Sequence, residues 1–269
     1  MLKQQSIRSV LSFQPHVFKQ LLRLKLANIR TTLTNKFINL AIWVGCTLFV
    51  MGYLLQAFGL AGNYGAFQFG GILAAVGLFE LYGNAIAFVV DLKNDRTITY
   101  YLTLPASACT ILLGYVCYYA IIGTLMSFML IPMAKIMLWN QFSLTAVSWP
   151  KLIFFIVLIN GLYATATLLL AGVVPAIDKL GDLWSRFIFP CWMLGGFQFS
   201  WASTYAVVPL VAYVLLLNPV IYVTEGVRAA LLGQQGNISW SLCCAVLLCI
   251  WGIVAVLAFK TLKKQLDFV

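Results

Sequence analysis

From Phe37 to Phe79 the chain carries no charged residue, and comparable apolar runs recur along its length. Runs near twenty residues can cross a hydrocarbon layer about 30 Å thick as helix. The first long run divides at "GLAGNYGAFQFGG", which predicts one span near 37–59 and a second near 67–90. "DLKNDRTITYYLTLPAS", residues 91–107, is the first polar break. A third span is predicted near 108–131, stopped by Pro132, because proline removes a backbone donor and clashes with the preceding turn. A polar loop with Lys135, Trp139, Asn140, Trp149 and Pro150 leads to a fourth span near 152–174. "PAIDKLGDLWSR", residues 175–186, is the second charged break. A fifth span is expected from Leu183 to about Phe199 and a sixth near 238–259, ending at "KTLKK". Nothing shows the alternation, in segments of about 10 residues, that marks a membrane β-barrel.

Two segments have a different texture. In "FQPHVFKQLLRLKLANIRTTLTNK", Phe18, Leu22, Leu26, Ile29 and Leu33 follow helical spacing while Lys19, Arg23 and Arg30 face elsewhere. That predicts a basic helix with one apolar stripe, lying in the interface plane. Residues 204–236 hold a short apolar stretch, "AVVPLVAYVLLL", and then Asn218-Pro219, which interrupts a helix. A second helix can restart with Pro219 in its first turn, and Gly233 and Gly236 then allow a turn. This predicts a re-entrant helical pair, whose backbone at that depth must be covered by protein or line a cavity. Glu225 and Arg228, three apart, share a face and can pair. They either brace the re-entrant element, sit at the membrane surface fixing helix orientation, or touch a substrate.

Composition agrees with a membrane protein: 62% of residues are hydrophobic and 9% charged, too little polar surface to cover a soluble core. The net charge of +10 is mostly a topology signal. Six spans put both termini on one side, and that side receives fourteen Lys and Arg against three on the other. Both termini are therefore expected in the cytoplasm, and no nucleic-acid partner is expected. The seven cysteines fall in or beside apolar runs without metal-like spacing. The polar, basic residues 1–36 do not read as a secretory signal. His16 has no neighbouring acid or thiol and carries no assigned chemistry. No G-x-x-x-x-G-K-[ST] occurs, so the chain carries no P-loop for ATP. No nucleophile elbow, zinc-binding helix or catalytic constellation is visible.

An interfacial helix before span 1, a polar segment between spans 2 and 3, and an Asn-Pro segment before the last span resemble the membrane subunit of ABC-2 type ATP-binding-cassette exporters. Two stretches carry the likeness. In 91–107, Asp91, Lys93, Asn94, Asp95 and Arg96 lead to Thr97 and Ile98, then to Tyr100, Tyr101, Leu104 and Pro105, similar to the family's cytoplasmic coupling helix. Arg96 stands where the family has glycine. "NPVIYVTEGVRAALLG", with Asn218, Pro219, Tyr222, Glu225 and Arg228, resembles the pattern ahead of the last span.

The resemblance implies an all-α membrane protein with a cytoplasmic tail and interfacial helix in 1–36. One six-span domain would cover 37–259, with its coupling helix at 91–107 and re-entrant segment at 204–236, followed by a tail at 260–269. It implies an exporter subunit without its own ATPase, no catalytic residue and no cofactor. A separate P-loop ATPase would carry ATP and Mg and dock on 91–105, and a second permease copy would complete the path. The cargo implied is amphipathic or lipid-linked.

Glu80 lies mid-span in "LAAVGLFELYGNAIAF", with Asn84 on the same face. An acid at that depth is a functional candidate by default. It either lines the translocation path with Asn84 or relays to the coupling segment, or it pairs structurally with a neighbouring span. The rival functions are an ion-gradient-driven carrier using Glu80, a lipid-directed membrane enzyme, and a membrane scaffold.

Overall fold

The computed structural model describes residues 13–27, 29–59, 61–91, 98, 100–101, 106–174 and 179–266, except the side chains of 180 and 263–266. Among these residues all regular structure is helical. Helix α1 is Pro15–Ala27, and α2 is Ile29–Phe49, continued by a π turn at Val50–Leu54 and a 3₁₀ turn at Leu55–Phe58. Then follow α3 (Tyr64–Val90), α4 (Ala108–Met137) and α5 (Trp149–Val173). Helix α6 runs through Leu180–Leu183, a π turn at Trp184–Ile188 and Phe189–Met193. The rest are α7 (Trp201–Val207), α8 (Pro209–Leu215), α9 (Pro219–Leu231) and α10 (Trp240–Leu266).

By length and composition, five of these helices can cross a membrane: 29–58, 64–90, 108–137, 149–173 and 240–262. Counting α8 and α9 as one span, bent by 98° at the Asn218-Pro219 break, makes six. They are the helices of a multi-pass membrane protein. Helix α5 is the hub, with 72% of its apolar window buried, whereas α2 is peripheral at 17%.

Three expectations change. The amphipathic run divides: α1 ends at Ala27, and Ile29 and Leu33 belong to α2, so the first long helix begins eight residues earlier than the apolar run. Helix α4 passes through Pro132 and ends at Met137. Leu130, Ile131 and Ala134 around the proline are buried, and that packing outweighs the backbone bond a proline forfeits. The expected fifth span, 183–199, is no long helix. It stops at Met193 in a turn where Gly196 takes φ 76°, a conformation glycine adopts without steric penalty.

Helices α3, α4 and α5 meet closely at mid-length. A Cβ on Gly77 or Gly123 would collide with Asn160 Oδ1 of α5, so both glycines admit that side chain. The main hydrophobic core gathers around this crossing, with Phe69, Ile72, Met126, Phe155 and Ile159 fully buried. A second core lies at one end of the bundle, which we call the near end. There Leu21 of α1, Ile98, Ile111 of α4, Leu168 of α5 and Leu262 of α10 pack together. Both described ends of the chain therefore reach the same end as Ile98 and Tyr101. The far end holds the connections around 61–63, 138–148, 194–200 and 232–239.

Candidate functional site

At the far end, α9 is tied to its surroundings by a polar ladder. Asn218 caps α9 by accepting from the Val220 amide at 3.0 Å, with Pro219 in the first turn. Its Nδ2 donates to Cys191 O at 2.7 Å. Two turns on, Thr224 Oγ1 donates to Gly195 O at 2.7 Å. Arg228 Nη2 and Nη1 then donate to Phe197 O and Phe199 O, each at 3.0 Å, and Nε donates to Phe67 O at 3.2 Å. The end of α6 and the irregular segment 194–199 carry carbonyls without an intrahelical partner, and buried carbonyls need partners. Helix α9 supplies them in register.

Glu225 does the complementary work on donors. Its Oε1 accepts from the Trp201 amide at 2.9 Å, the first residue of α7, and Oε2 from the Ile238 amide at 3.0 Å, just before α10. A carboxylate suits a helix N-terminus, where amides lack intrahelical partners. Glu225 and Arg228 are both wholly buried, 3.9 Å apart. Each is held by backbone, with its partner close enough to neutralise it. The pair is therefore not solvent-exposed, and its hydrogen bonds give the bracing role geometric content. Tyr222 is half-buried against the main core.

Room for Arg228 comes from α3. A Cβ on Gly70 would lie 2.7 Å from Arg228 Cγ, and one on Gly71 would lie 2.7 Å from Phe197 O and 3.0 Å from Arg228 Nη2. The guanidinium also stacks 3.6 Å from the Phe67 ring centroid, a favourable cation–π geometry. Beside this clamp opens a cavity of about 660 Å³ lined by amides, hydroxyls and aromatic rings, among them Asn63, Tyr64, Gln198 and Ser203.

The second site lies between α2, α3 and α6. Glu80 is not isolated: it forms an ion pair with Lys36 of α2, whose Nζ also donates to Asn84 Oδ1 at 3.2 Å. Asn84 is buried. Of the two readings of Glu80, pairing with a neighbouring helix is the geometry present, and the pair also lines an open cleft of about 530 Å³. Trp43, Phe79, Trp184 and Trp192 form its walls around Phe79, with Trp43 edge-on to that ring at 5.1 Å and Trp192 at 5.3 Å. In the sequence Lys36 counted as a topogenic charge of the tail. Its role follows from α2 beginning at Ile29, which carries it two turns into the helix.

At the near end, Asp91, Ile98, Tyr100 and Tyr101 are described, whereas Lys93, Asn94, Asp95, Arg96, Thr97, Leu104 and Pro105 lie outside the described residues. Ile98 is fully buried in the second core and Tyr100 is 63% exposed. Helix α1 docks here through Gln14, whose amide donates to Thr110 Oγ1 at 3.0 Å and whose Oε1 accepts from the Ser107 amide at 3.3 Å. Lys25 of α1 places its ammonium 3.2 Å from the Tyr115 ring centroid and 5.5 Å from that of Tyr101. Burial pushes Lys25 down to about 8, opposed by the Asp91 carboxylate. Lys25 and Thr224 are site residues the sequence reading passed over.

Among the described residues no group of three or more His, Cys, Asp or Glu could hold a metal ion. No family model matches the chain, and no curated protein matches it.

Proposed function

We propose that the chain is the permease subunit of an ATP-driven exporter of the ABC-2 type, placed in a cytoplasmic membrane with both termini inside. In this reading α6 makes the fifth crossing and ends at the far-end turn of 194–199, α8 and α9 are the re-entrant pair, and α10 is the sixth span. Residues 91–105 are the coupling surface for a separate P-loop ATPase, which carries ATP and Mg. The chain itself has no catalytic residue and no cofactor. Two copies enclose the path, and the cargo is amphipathic or lipid-linked.

One observation carries the reading. Ile98, two positions before the exposed Tyr100, is buried in a core shared with α1, α4, α5 and α10. A partner pushing on that segment would move several membrane helices at once, because packed elements transmit displacement rather than absorb it. The Lys36–Glu80 pair weighs against a gradient-driven carrier, since a coupling acid must be free to exchange its ion, whereas Glu80 is held by an ammonium.

The test is purification of the tagged chain in mild detergent from its native host. A P-loop ATPase should accompany it, and Tyr101→Ala with Arg96→Ala should release that ATPase. A chain that comes without any ATPase in several detergents overturns the reading.

A further inference from the structure

A cavity of about 170 Å³ lies between α3, α5, α6, α9 and α10. Leu81, Tyr163, Phe187, Cys191, Val223 and Ile250 help to wall it, and no charged or amide side chain joins them. The polar groups its walls do carry are engaged elsewhere. The Tyr163 hydroxyl donates to Ala74 O at 3.5 Å, and Cys191 O accepts from Asn218 Nδ2 at 2.7 Å. The surface turned to the cavity is therefore apolar throughout. It sits at mid-length of α3, α5 and α10, three of the helices able to cross a membrane. It opens sideways between α6 and α10, where Phe187 is 57% exposed and Ile250 and Val254 are half-buried. On its inner wall Leu81 and Val223 are 4% and 1% exposed.

The walls decide the class of occupant. A water molecule needs two to four polar partners to stay in a cavity, and none is offered here. A charged headgroup at this depth would have no counter-charge. Left empty, the cavity would deprive its walls of contacts and cost stability in proportion to its volume. Hydrocarbon is the class that fits. A dry cavity of about 150 Å³ lined by Leu, Ile and Phe holds benzene, so this one has room for about six carbons. That is the end of one acyl chain, not a whole lipid. The sideways mouth lets the rest of the chain stay outside, and a bilayer holds acyl chains at this depth at a concentration no dissolved solute reaches.

We propose that this cavity binds the end of one acyl chain of a bilayer phospholipid, entering between α6 and α10. The chain supplies the packing between α6 and the α5–α10 pair, next to the Asn218–Cys191 bridge that joins α6 to α9. The site holds whether or not an ATPase docks on the protein.

The experiment is photolabelling of the full chain in phosphatidylcholine nanodiscs. One probe is a phosphatidylcholine with a diazirine at the end of its acyl chain, and the other carries the diazirine beside the ester. Adducts are mapped by mass spectrometry. The chain-end probe should label Leu81 and Val223, which a lipid on the outer surface does not reach, and the ester-side probe should not. Both probes serve a control on the outer face of α10, Ile253, 60% exposed. Ala166→Leu and Cys191→Met fill the cavity from different walls, so poor folding of one leaves the other as the test. Each should cut the adducts at Leu81 and Val223 about tenfold, equivalent to about 1.4 kcal/mol of binding, with those at Ile253 unchanged. No adduct on the inner wall, equal labelling of that wall by the two probes, or a folded filling variant that keeps the wall adducts overturns the proposal.

Discussion

Replacing Arg228 by methionine is the sharpest test of the far-end clamp. The substitution keeps an unbranched chain of similar reach between Gly70 and Gly71 but removes the charge and all five N–H donors. Three backbone carbonyls, of Phe67, Phe197 and Phe199, lose their donor. Glu225 loses the cation 3.9 Å away and remains fully buried. Hydrogen bonds to charged groups contribute about 1.5–3 kcal/mol each, but three made by one side chain are not additive. Removing one partner of a buried pair costs about 3–5 kcal/mol, and that is the magnitude expected here. The assay is unfolding in mixed micelles as the SDS fraction rises. Glu225→Gln should cost less, about 1–3 kcal/mol. One amide oxygen cannot accept from both Trp201 and Ile238, which now donate to separate carboxylate oxygens. The double variant should then be less damaged than the sum of the two singles. An Arg228→Met chain within about 1 kcal/mol of the parent, below the cost of breaking a buried pair, would refute the clamp.

Further outcomes follow from the same geometry. Gly71→Ala should destabilise by about 1–3 kcal/mol, because its methyl meets Phe197 O and Arg228. Gly83→Ala, in the same helix with nothing within 4 Å of its Cβ, should be neutral or stabilising by up to about 1 kcal/mol; the same micelle titration reads both. The ¹³C-methylated Lys25 amine should titrate near 8 rather than at the ordinary 10.5. Asp91→Asn should lower that midpoint further, since the carboxylate favours the ammonium. Because undocked Lys25 binds more protons between those two values, docking of α1 should strengthen as pH rises through that window and stay at its weakest below it. A spin-label distance between α1 and α4 follows this. Thr165→Val should cost about 1 kcal/mol by stripping the 2.9 Å hydrogen bond from Trp251 Nε1, read as a red or blue shift in tryptophan emission alongside stability.

The long helices were legible because apolar runs near twenty residues have few alternatives to a membrane span. What hydropathy could not deliver were the features set by side-chain registration between distant segments. In the sequence Arg228 stays open between bracing, a membrane-surface position and substrate contact until α3 is placed against it, and only the adjacent Gly70-Gly71 hints that a bulky group must enter there. Thr224 looks like an ordinary helix residue because its acceptor, Gly195 O, lies 29 positions away. Lys36 was hidden by the assumption that a span begins where charge ends. A helix can start lower and carry one cation inward when an acid waits at the same depth, as Glu80 does. The expected fifth span is not one continuous helix to Phe199, because Gly195-Gly196 mark a turn inside an otherwise apolar run.

The proposed coupling role requires that residues near 100 face a P-loop ATPase. The most direct measurement places a benzophenone amino acid at Tyr100, 63% exposed at the near end, and as control at Phe58, 83% exposed on the first long helix. After illumination in native membranes, the adducts are identified by mass spectrometry. A P-loop ATPase should be joined at position 100 and none at 58. An ATPase joined at 58, or none at either position, would contradict it.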